Sequence, residues 1–322
     1  MNKIALAIHG GAGTILRSQM TPDLEREYRK GLETALKAGW SILTSGGASL
    51  DAVETAVASL EDFPLFNAGR GAVFTHEGEQ EMDASIMDGS SLKAGAVASV
   101  KNIKNPVKLA RLVMERTDHV LLAGEGANQF AEQVGAQFEP DEYFFTEHRW
   151  LQLQEAMAEG RIQLDHFTAE TQRRRYEETN PQSAIRNPQL GTVGAVACDI
   201  NGFLAAATST GGMTNKKFGR VGDTALIGLG TYADDICAVS CTGHGEYFMR
   251  AVAAYDVAAR MKYKGLGLEE AARETIDHLT KINGEGGLIA VDTHGNITLP
   301  FNSEGMYRGS ASDDEKLDIG IF

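Results

Sequence analysis

The spacing of hydrophobic and polar residues predicts both strands and helices along the chain. Residues 3–8 form an apolar run of strand length, and the glycine-rich residues 9–13 that follow are predicted to form a turn. Thr21-Pro22 predicts the start of a helix, because threonine is a good N-cap and proline suits the first helical position. Apolar side chains then recur at nearly helical spacing until Gly46-Gly47, where we predict that the helix ends.

Further elements follow in the first half of the chain. Ser49 is predicted to cap a second helix, which carries Val53, Val57 and Leu60 on one face. Later in this half, the pattern predicts strands at 82–88 and 94–100 joined by the turn Asp88-Gly89, and helices at 105–116 and 125–134.

The pattern is interrupted over residues 151–191, which are polar, charged and poor in regularly spaced apolar residues. We predict that this stretch is a functional loop or a linker. After it, Asn201-Gly202 predicts a hairpin turn between strands at 192–199 and 203–210. The remaining predicted elements are a strand at 236–242, helices at 245–261 and 268–281, and a final hairpin of strands 287–292 and 297–301. This succession of strands and helices favours a layered α/β fold.

Bulk composition narrows the possible functions. A chain of 322 residues is long enough for one large domain or two small ones, and its 36 glycines favour closely packed strands and helices. The net charge of −14 would repel phosphate backbones and anionic lipids, so we expect neither nucleic acid nor membrane partners. The N-terminal apolar run is too short for a signal peptide or a membrane span, which predicts a cytoplasmic protein.

The cysteines argue against a disulfide framework. There are 3 of them, Cys198, Cys237 and Cys241, an odd number without paired spacing. Because Cys237 and Cys241 lie in an apolar run, we interpret them as small core residues in preference to zinc ligands.

The junction Gly191-Thr192 is the first candidate for chemistry, because a strand begins there directly after the polar stretch. If the chain is cut before Thr192, its hydroxyl lies beside a free α-amine with a pKa of about 7.7–8.0. Such an amine can serve as the general base for the hydroxyl nucleophile. Gly191 would leave the preceding carbonyl open to attack. Threonine is also common at the start of an ordinary strand, so this motif alone leaves both interpretations open.

Four glycine-containing segments offer further polar groups. Arg220 and Asp223, three residues apart, suit the carboxylate and the ammonium of an amino acid, although they could equally form a surface salt bridge. Residues 242–245 lie between a strand and a helix, where backbone amides can stabilise an oxyanion or form an ordinary turn. Residues 208–212 place hydroxyls at a strand end, and residues 9–13 could bind an anion but lack the Gly-Lys-Ser/Thr of a P-loop.

Taken in order, these segments resemble the plant-type L-asparaginases, also called isoaspartyl peptidases, of the N-terminal nucleophile hydrolases. The matching segments cover nearly the whole chain outside residues 151–191: Ile8-His9-Gly10-Gly11-Ala12-Gly13, Leu65-Phe66-Asn67-Ala68-Gly69, Met82-Asp83-Ala84, Met87-Asp88-Gly89, Gly191-Thr192-Val193-Gly194-Ala195-Val196, Thr208-Ser209-Thr210-Gly211-Gly212, Gly219-Arg220-Val221-Gly222-Asp223 and Thr242-Gly243. Each segment is weak alone, but the ordered set is specific.

The resemblance implies a fold, a maturation step and an activity. The fold would be α/β, a four-layer αββα sandwich, cut by the protein itself between Gly191 and Thr192. Residues 1–150 would then be the α-subunit part, residues 151–191 a linker, and residues 192–322 the β-subunit part, with the subunits staying together as (αβ)2. The activity would be hydrolysis of β-aspartyl dipeptides and L-asparagine to release L-aspartate.

The resemblance also assigns roles to individual residues. Thr192 would be the nucleophile, Thr210 would support its hydroxyl and amine, Asn67 would orient it, and Thr242 and Gly243 would form the oxyanion hole. The substrate site would contain, besides these oxyanion residues, Arg220 for the α-carboxylate, Asp223 for the α-ammonium, and Val221, Gly222, His244 and Gly245.

No cofactor is implied for catalysis, but a structural sodium ion is. Its ligands would be six backbone carbonyls, those of Leu60, Glu61, Phe63, Phe66, Ala68 and Arg70. Ligation by oxygen alone suits a hard cation.

Two other functions are alternatives to this assignment. Glycosylasparaginases typically have Asp-Thr-Ile-Gly at the nucleophile, lack the His-Gly-Gly-Ala-Gly opening and carry a signal peptide, so all three features disfavour them here. An inactive homologue or small-molecule binding protein would stay a single chain in denaturing electrophoresis, whereas a self-cleaving enzyme would give two bands.

Overall fold

The structure, a computed structural model, describes residues 3–158, 191–313 and 317–322 and has a mixed α/β fold. The strands are β1 (Ala5–Gly13), β2 (Met82–Asp88), β3 (Ala94–Val100), β4 (Leu121–Ala123), β5 (Val193–Cys198), β6 (Leu204–Thr210), β7 (Thr231–Ala233), β8 (Cys237–Gly243), β9 (Gly286–Asp292), β10 (Ile297–Thr298), β11 (Gly305–Ser312) and β12 (Asp318–Gly320). The α-helices are α1 (Pro22–Thr44), α2 (Ser49–Glu61), α3 (Pro106–Arg116), α4 (Gly124–Gln133), α5 (Asp141–Phe144), α6 (Glu147–Ala158), α7 (Gly245–Ala251), α8 (Ala253–Lys264) and α9 (Leu268–Lys281).

The strands form two sheets that face each other. The larger sheet has 8 strands in the order β12-β11-β1-β5-β6-β2-β3-β4, and the smaller has 4 in the order β10-β9-β8-β7. Helices α1 to α4 pack on the larger sheet, and α7 to α9 pack on the smaller one. The order of layers is therefore helices, larger sheet, smaller sheet, helices.

Strand β5 shows how the sequence builds these layers. Val193, Ala195 and Ala197 belong to the core between the larger sheet and its helices, whereas Val196 and Cys198 belong to the core between the two sheets. The alternation follows from the two-residue period of a strand. The core between the sheets also contains many alanines, among them Ala5, Ala7, Ala206 and Ala238, so the abundance of small residues is used where the sheets meet.

Elements with strong local signals agree with the sequence predictions. Helix α1 begins at Pro22, and the Thr21 side chain accepts a hydrogen bond from the Leu24 amide at 3.2 Å. Strands β2 and β3 and helices α3, α4 and α9 lie within a residue of their predicted bounds. The three cysteines are buried free thiols, and Cys237 and Cys241 lie in the core between the smaller sheet and its helices.

The glycine-rich residues 9–13 form the second half of β1, so the turn predicted there is wrong. β1 pairs with β11 along its whole length, with a bulge between His9 and Gly11. Gly11 has a φ of +118°, a conformation that glycine adopts readily and that accommodates the bulge. The partner strand lies near the other end of the chain, and the local pattern carries no information about it.

Two helix boundaries also differ from prediction. Ser49 is the first residue of α2, the N-cap is Ala48, and the Ser49 amide donates to Asp199 Oδ2 at 3.1 Å. The helix predicted at 245–261 is broken at Val252, whose φ is +51°. After the break, the amides of Ala254 and Tyr255 donate to carbonyls in the loop before β7, at 3.1 and 2.8 Å. Tertiary hydrogen bonds thus satisfy backbone amides at the start of the second helix, which have no partner within the helix.

The start of the predicted linker is helical. Residues 151–158 complete α6, and the buried face of this helix includes the polar residues Arg149 and Gln152 beside Leu153 and Ala156. Because half of this face is polar, it lacks the apolar period that marks a helix in sequence. Residues 159–190 of the predicted linker lie outside the described residues.

Several short or edge elements were not predicted, namely β4, β7, β11, β12 and α5, and β10 is shorter than the predicted strand 297–301. In the ranges that the structure describes, no helix is both long and apolar enough to cross a membrane.

Candidate active site

Thr192 lies immediately before β5, beside the end of β6. The antiparallel pairing of these strands places Val193 opposite Ser209, which brings Thr192 next to Thr210. The Thr192 Oγ1 hydroxyl donates to Thr210 Oγ1 at 3.2 Å, and both residues are buried. Thr210 Oγ1 also accepts the Gly212 amide at 3.0 Å, which fixes the position of this hydroxyl.

The peptide preceding Thr192 packs against the glycine-rich half of β1. A Cβ added to Gly11 would lie 2.6 Å from the amide nitrogen of Gly191 and 2.9 Å from its carbonyl oxygen. Real Cβ atoms do not approach backbone this closely, so only glycine fits at position 11. The glycine-rich segment therefore packs directly against the Gly191-Thr192 junction. The sequence analysis did not predict this contact.

His9 holds the backbone of Thr192. Its Nδ1 lies 3.0 Å from the Thr192 carbonyl oxygen, and its Nε2 lies 2.9 Å from Ser240 Oγ. Burial lowers the pKa of His9 to about 3, so the ring is neutral. A carbonyl oxygen only accepts hydrogen bonds, so we assign the proton to Nδ1, and Ser240 then donates to Nε2. Ser240 Oγ also lies 2.7 Å from Thr208 Oγ1, which links the two sheets behind the nucleophile.

Asn67 is connected to Thr210 through the turn that follows β6. Its Nδ2 donates to the Gly212 carbonyl at 2.8 Å, and its own carbonyl accepts the Gly211 amide at 3.1 Å. The side-chain oxygen accepts the Val73 amide at 3.1 Å. Since the Gly212 amide binds Thr210 Oγ1, Asn67 positions the turn that supports Thr210, without a described hydrogen bond to Thr192 itself.

Arg220 and Asp223 lie at the same site, and Arg220 has a carboxylate partner that the sequence analysis missed. Arg220 donates through Nε and Nη2 to the two carboxylate oxygens of Glu246, both at 3.0 Å. Asp223 is buried, and its Oδ2 is without a hydrogen-bond partner. Burial raises the pKa of Asp223 to about 6, although the charge of Arg220 opposes this shift. The only local signal for Glu246 was an acidic residue directly after a glycine-rich motif.

Residues 242–245 run from the end of β8 to the start of α7, beside Arg220 and Asp223. Thr242 Oγ1 accepts the Ala12 amide at 3.2 Å, and Gly243 has a φ of +151°. His244 Nε2 lies 3.3 Å from Glu246 Oε2. A Cβ on Gly245 would lie 2.7 Å from Asp223 Oδ1 and 2.9 Å from Arg220 Nη2, so glycine at this position leaves room for both charged groups.

A small cavity collects most of the predicted site residues. It is lined by Gly191, Thr192, Thr210, Gly212, Met213, Arg220, Gly222, Asp223, Thr224, Gly243 and Gly245. Met213 and Thr224 were not predicted. Four predicted residues lie outside this lining, namely Asn67, Val221, Thr242 and His244. A threonine hydroxyl, a cation and an anion thus meet in one cavity, and the two charges are complementary to those of an amino-acid head.

Lys216 provides a second cation near the cavity. Lys216 is buried and donates through Nζ to the Glu81 carbonyl at 2.9 Å. Burial lowers its pKa, while the nearby carboxylate of Asp83 favours its charge. A Cβ on Gly212 would lie 3.2 Å from Lys216 Nζ and 3.6 Å from Arg220 Nη1, so two cationic groups flank this turn. Their field favours a substrate carboxylate over a neutral group.

The carbonyls that the resemblance assigns to sodium lie between the end of α2 and Gly71. Four of them accept a backbone amide within this segment: Leu60 from Phe63 at 3.1 Å, Phe63 from Phe66 at 3.3 Å, Phe66 from Ala68 at 3.0 Å and Ala68 from Gly71 at 3.1 Å. The Leu60 carbonyl also accepts the Asp62 amide, whereas the carbonyls of Phe63, Phe66 and Ala68 each keep a second lone pair that is available to a hard cation. The buried Arg149 side chain holds the same segment through the carbonyls of Gly71 and Leu65, at 2.9 and 3.4 Å.

Comparison with known proteins identifies the family of this chain. The sequence profile of the family described as Asparaginase matches residues 2–321. The isoaspartyl peptidase of Salmonella typhimurium is 52% identical over 325 residues, covering 100% of this chain and 99% of the relative. The isoaspartyl peptidase of Escherichia coli is 51% identical, covering 100% and 97%. The isoaspartyl peptidase/L-asparaginase of Homo sapiens is 42% identical, covering 100% and 96%. The chain therefore belongs to the asparaginase family that includes the isoaspartyl peptidases and plant-type L-asparaginases.

Proposed function

We propose that this protein is a self-processing threonine amide hydrolase that cleaves β-aspartyl dipeptides and L-asparagine and releases L-aspartate. The observation that carries the proposal is the buried Thr192–Thr210 hydroxyl pair, 3.2 Å apart, in a cavity that also contains Arg220 and Asp223. The names of the relatives, isoaspartyl peptidase and L-asparaginase, support the same activity.

Maturation is an attack of Thr192 on the bond that precedes it. Oγ1 adds to the Gly191 carbonyl carbon, the C–N bond breaks, and the released nitrogen takes up a proton to become an amine. Water then hydrolyses the resulting ester, which frees the Thr192 hydroxyl and leaves a carboxylate on Gly191. Residues 1–150 with the linker 151–191, whose first part is the end of α6, form the α chain, and residues 192–322 form the β chain.

Catalysis uses the amine and hydroxyl of the same residue. The free amine removes the proton from Oγ1 as the oxygen attacks the side-chain carbonyl of the substrate. Thr242 and Gly243 stabilise the oxyanion, and the amine returns the proton to the departing ammonia or amino acid. Water then hydrolyses the aspartyl ester on Thr192 and regenerates the enzyme.

Different residues bind the amino-acid head of the substrate and its reacting carbonyl. Arg220 holds the α-carboxylate, and Asp223 holds the α-ammonium. Gly222 and Gly245 line the cavity around this head, whereas Val221 and His244 lie outside its lining. Because the head is fixed relative to Thr192, a β-aspartyl group places its carbonyl at the nucleophile, and an added methylene would displace it.

The fold type, the sodium site, the assembly and the location are further parts of this proposal. The order of layers supports the αββα sandwich of the N-terminal nucleophile hydrolases. Neither a catalytic cofactor nor a metal takes part in the steps above. The carbonyls of residues 60–70 would hold a structural sodium ion, which would stiffen the segment that contains Asn67. Assembly as (αβ)2 and a cytoplasmic location stay predictions.

Replacing Thr192 tests the proposal. Wild-type protein should give two bands in denaturing electrophoresis, and the second chain should begin with Thr192 by mass spectrometry. Thr192→Ala removes the attacking hydroxyl and should stay a single chain without activity on β-Asp-Leu. Thr192→Ser keeps a hydroxyl and should still be cut. Cleavage of the alanine variant at the same bond would refute self-cleavage by Thr192, and an uncut wild type would favour the binding-protein alternative.

A further inference from the structure

We propose that Glu246 is a positioning residue for substrate binding, which holds Arg220 with its free edge toward the cavity. This inference rests on the proposed function, because it concerns the group that would bind the α-carboxylate of the substrate. Glu246 does not line the cavity, and it has no place in the steps of bond cleavage.

The Arg220 guanidinium has one edge, Nε and Nη2, that contacts Glu246, and another, Nη1, that lies toward the cavity. Glu246 accepts from Nε and Nη2, each at 3.0 Å, and this bidentate contact restrains the plane of the group. Nη1 lies 2.9 Å from the position that a Cβ would take on Gly222 and 3.6 Å from that on Gly212. Both glycines line the cavity beside Thr192. The Nη1 donors therefore remain available on the cavity side.

Glu246 is itself held in place. His244 Nε2 lies 3.3 Å from Glu246 Oε2, on the carboxylate oxygen that also accepts from Arg220 Nη2. Burial alone would raise the pKa of Glu246, but the hydrogen bonds from His244 and Arg220 together hold it well below its usual range. Glu246 is therefore ionised at neutral pH.

Asp223 explains why Arg220 needs a second carboxylate. Asp223 is buried with an unpartnered Oδ2, and its charge interacts with that of Arg220. Arg220 Nη2 and Asp223 Oδ1 lie 2.9 and 2.7 Å from the same point, the Cβ position of Gly245. If Glu246 were absent, Arg220 would turn toward Asp223. Such a pair would occupy both groups that the amino-acid head requires.

The same contacts also allow the opposite role for Glu246, which is competition with the substrate for Arg220. Glu246 could instead occupy Arg220 in place of the substrate carboxylate and leave when substrate binds. In that case its removal would tighten binding, because a competitor is lost. The two possibilities therefore differ in the sign of the change in KM.

The test compares mature wild type, Glu246→Gln and Glu246→Ala, with Glu285→Gln as the control. Glu285 is a half-buried carboxylate near His244 whose charge has no contact with Arg220 in the described contacts. KM and kcat are measured for β-Asp-Leu and for L-asparagine, and L-aspartate binding is measured by calorimetry. Denaturing electrophoresis reports self-cleavage, and circular dichroism reports folding.

We expect Glu246→Ala to raise KM for both substrates on the order of ten-fold or more, as for loss of a charge-assisted contact, with a much smaller change in kcat. Aspartate binding should weaken by a similar factor, Glu246→Gln should be intermediate, and self-cleavage should be complete in every variant. If Glu246→Ala does not fold, the isosteric Glu246→Gln decides.

An unchanged or lower KM in an active variant would overturn the inference, and so would a fall in kcat alone. Failure of the proposed function would appear differently, because wild type itself would then lack turnover. Wild type that neither turns over substrate nor binds aspartate would overturn both.

Discussion

Burial sets the charge states of the residues around Thr192. His9 is fully buried without a carboxylate beside it, so it stays neutral and serves as a hydrogen-bond donor to the Thr192 carbonyl. Asp223 is also buried, but Arg220 limits the rise in its pKa, which stops at about 6. The same physical effect therefore produces a permanently neutral ring and a carboxylate that titrates close to physiological pH.

The raised pKa of Asp223 predicts an acid limb in the pH profile. Above about pH 6 the carboxylate is charged and attracts the substrate ammonium, and below it the proton removes this attraction. We expect kcat/KM for β-Asp-Leu to fall as the pH is lowered through about 6. The free-enzyme profile should be measured from pH 4.5 to 9, which includes the separate titration of the Thr192 amine near 7.7–8.0.

Asp223→Asn is the matched variant for this prediction, because it removes the titrating proton and keeps the shape of the side chain. It should bind substrate weakly and lose the limb near pH 6, while any limb due to the amine persists. An unchanged acid limb in this variant would assign the titration to another group.

At the scale of elements, a buried carboxyl joins the end of α2 to the start of α3. Glu61 Oε1 accepts the Val107 amide at 3.0 Å, and Asn105 Nδ2 donates to Asp62 Oδ1 at 3.2 Å. The first contact satisfies one of the amides that every helix start leaves without an intrahelical partner. Burial raises the pKa of Glu61 to about 8, so the carboxyl is protonated at neutral pH. The junction therefore depends on a neutral acid.

Glu61 predicts how stability changes with pH. Its pKa is about 8 in the folded chain, above its ordinary value of 4.5, so the folded state binds this proton more tightly than the unfolded state. The stabilisation is complete below pH 4.5 and is lost as the pH rises toward 8. Glu61→Gln mimics the neutral acid and should make the free energy of unfolding less dependent on pH between 5 and 8.

Urea denaturation of the single-chain Thr192→Ala background, at constant sodium concentration, measures this effect without separation of the subunits. Glu132→Gln, at an exposed position on α4, should keep the original pH dependence. Equal pH dependence with and without the Glu61 substitution would show that this carboxyl is charged in the folded protein.

At the scale of the whole molecule, the larger sheet interleaves segments from both sides of the proposed cleavage site. β1 lies between β11 and β5, with Ala5 paired to both Ser312 and Cys198. β2 pairs with β6 along Asp83 to Asp88. Cutting the chain before Thr192 removes a covalent bond but none of these ladder hydrogen bonds. Neither chain can leave without exposing the core and the unpaired edges of central strands.

We therefore expect the cleaved chains to stay together. Size-exclusion chromatography in native buffer should give one peak that contains both bands, and only denaturant should separate them. Raising the salt concentration should have little effect, because the contact is a buried sheet and not a set of surface ion pairs. Elution of the two chains as separate folded species would contradict this interleaved arrangement.

The sequence by itself determined the elements whose signals are local. The Thr21 cap and Pro22 define the start of α1, and short strand-like segments beside the turns Asp88-Gly89 and Asn201-Gly202 define β2, β3 and β5. It also singled out the junction Gly191-Thr192 and the pair Arg220 and Asp223 as candidate chemistry. In each case a property of a few neighbouring residues, such as capping or side-chain period, acts without help from the rest of the chain.

Only the tertiary structure decided which distant groups meet. Residues 9–13 form a strand because β11 supplies its hydrogen bonds, and Gly11 is required because Gly191 packs against it. Glu246 became part of the site when the fold brought it to Arg220. Residues 245–264 are two helices because the loop before β7 binds the start of the second. These contacts join residues that are far apart in sequence, and their energies depend on burial and geometry that local propensity does not contain.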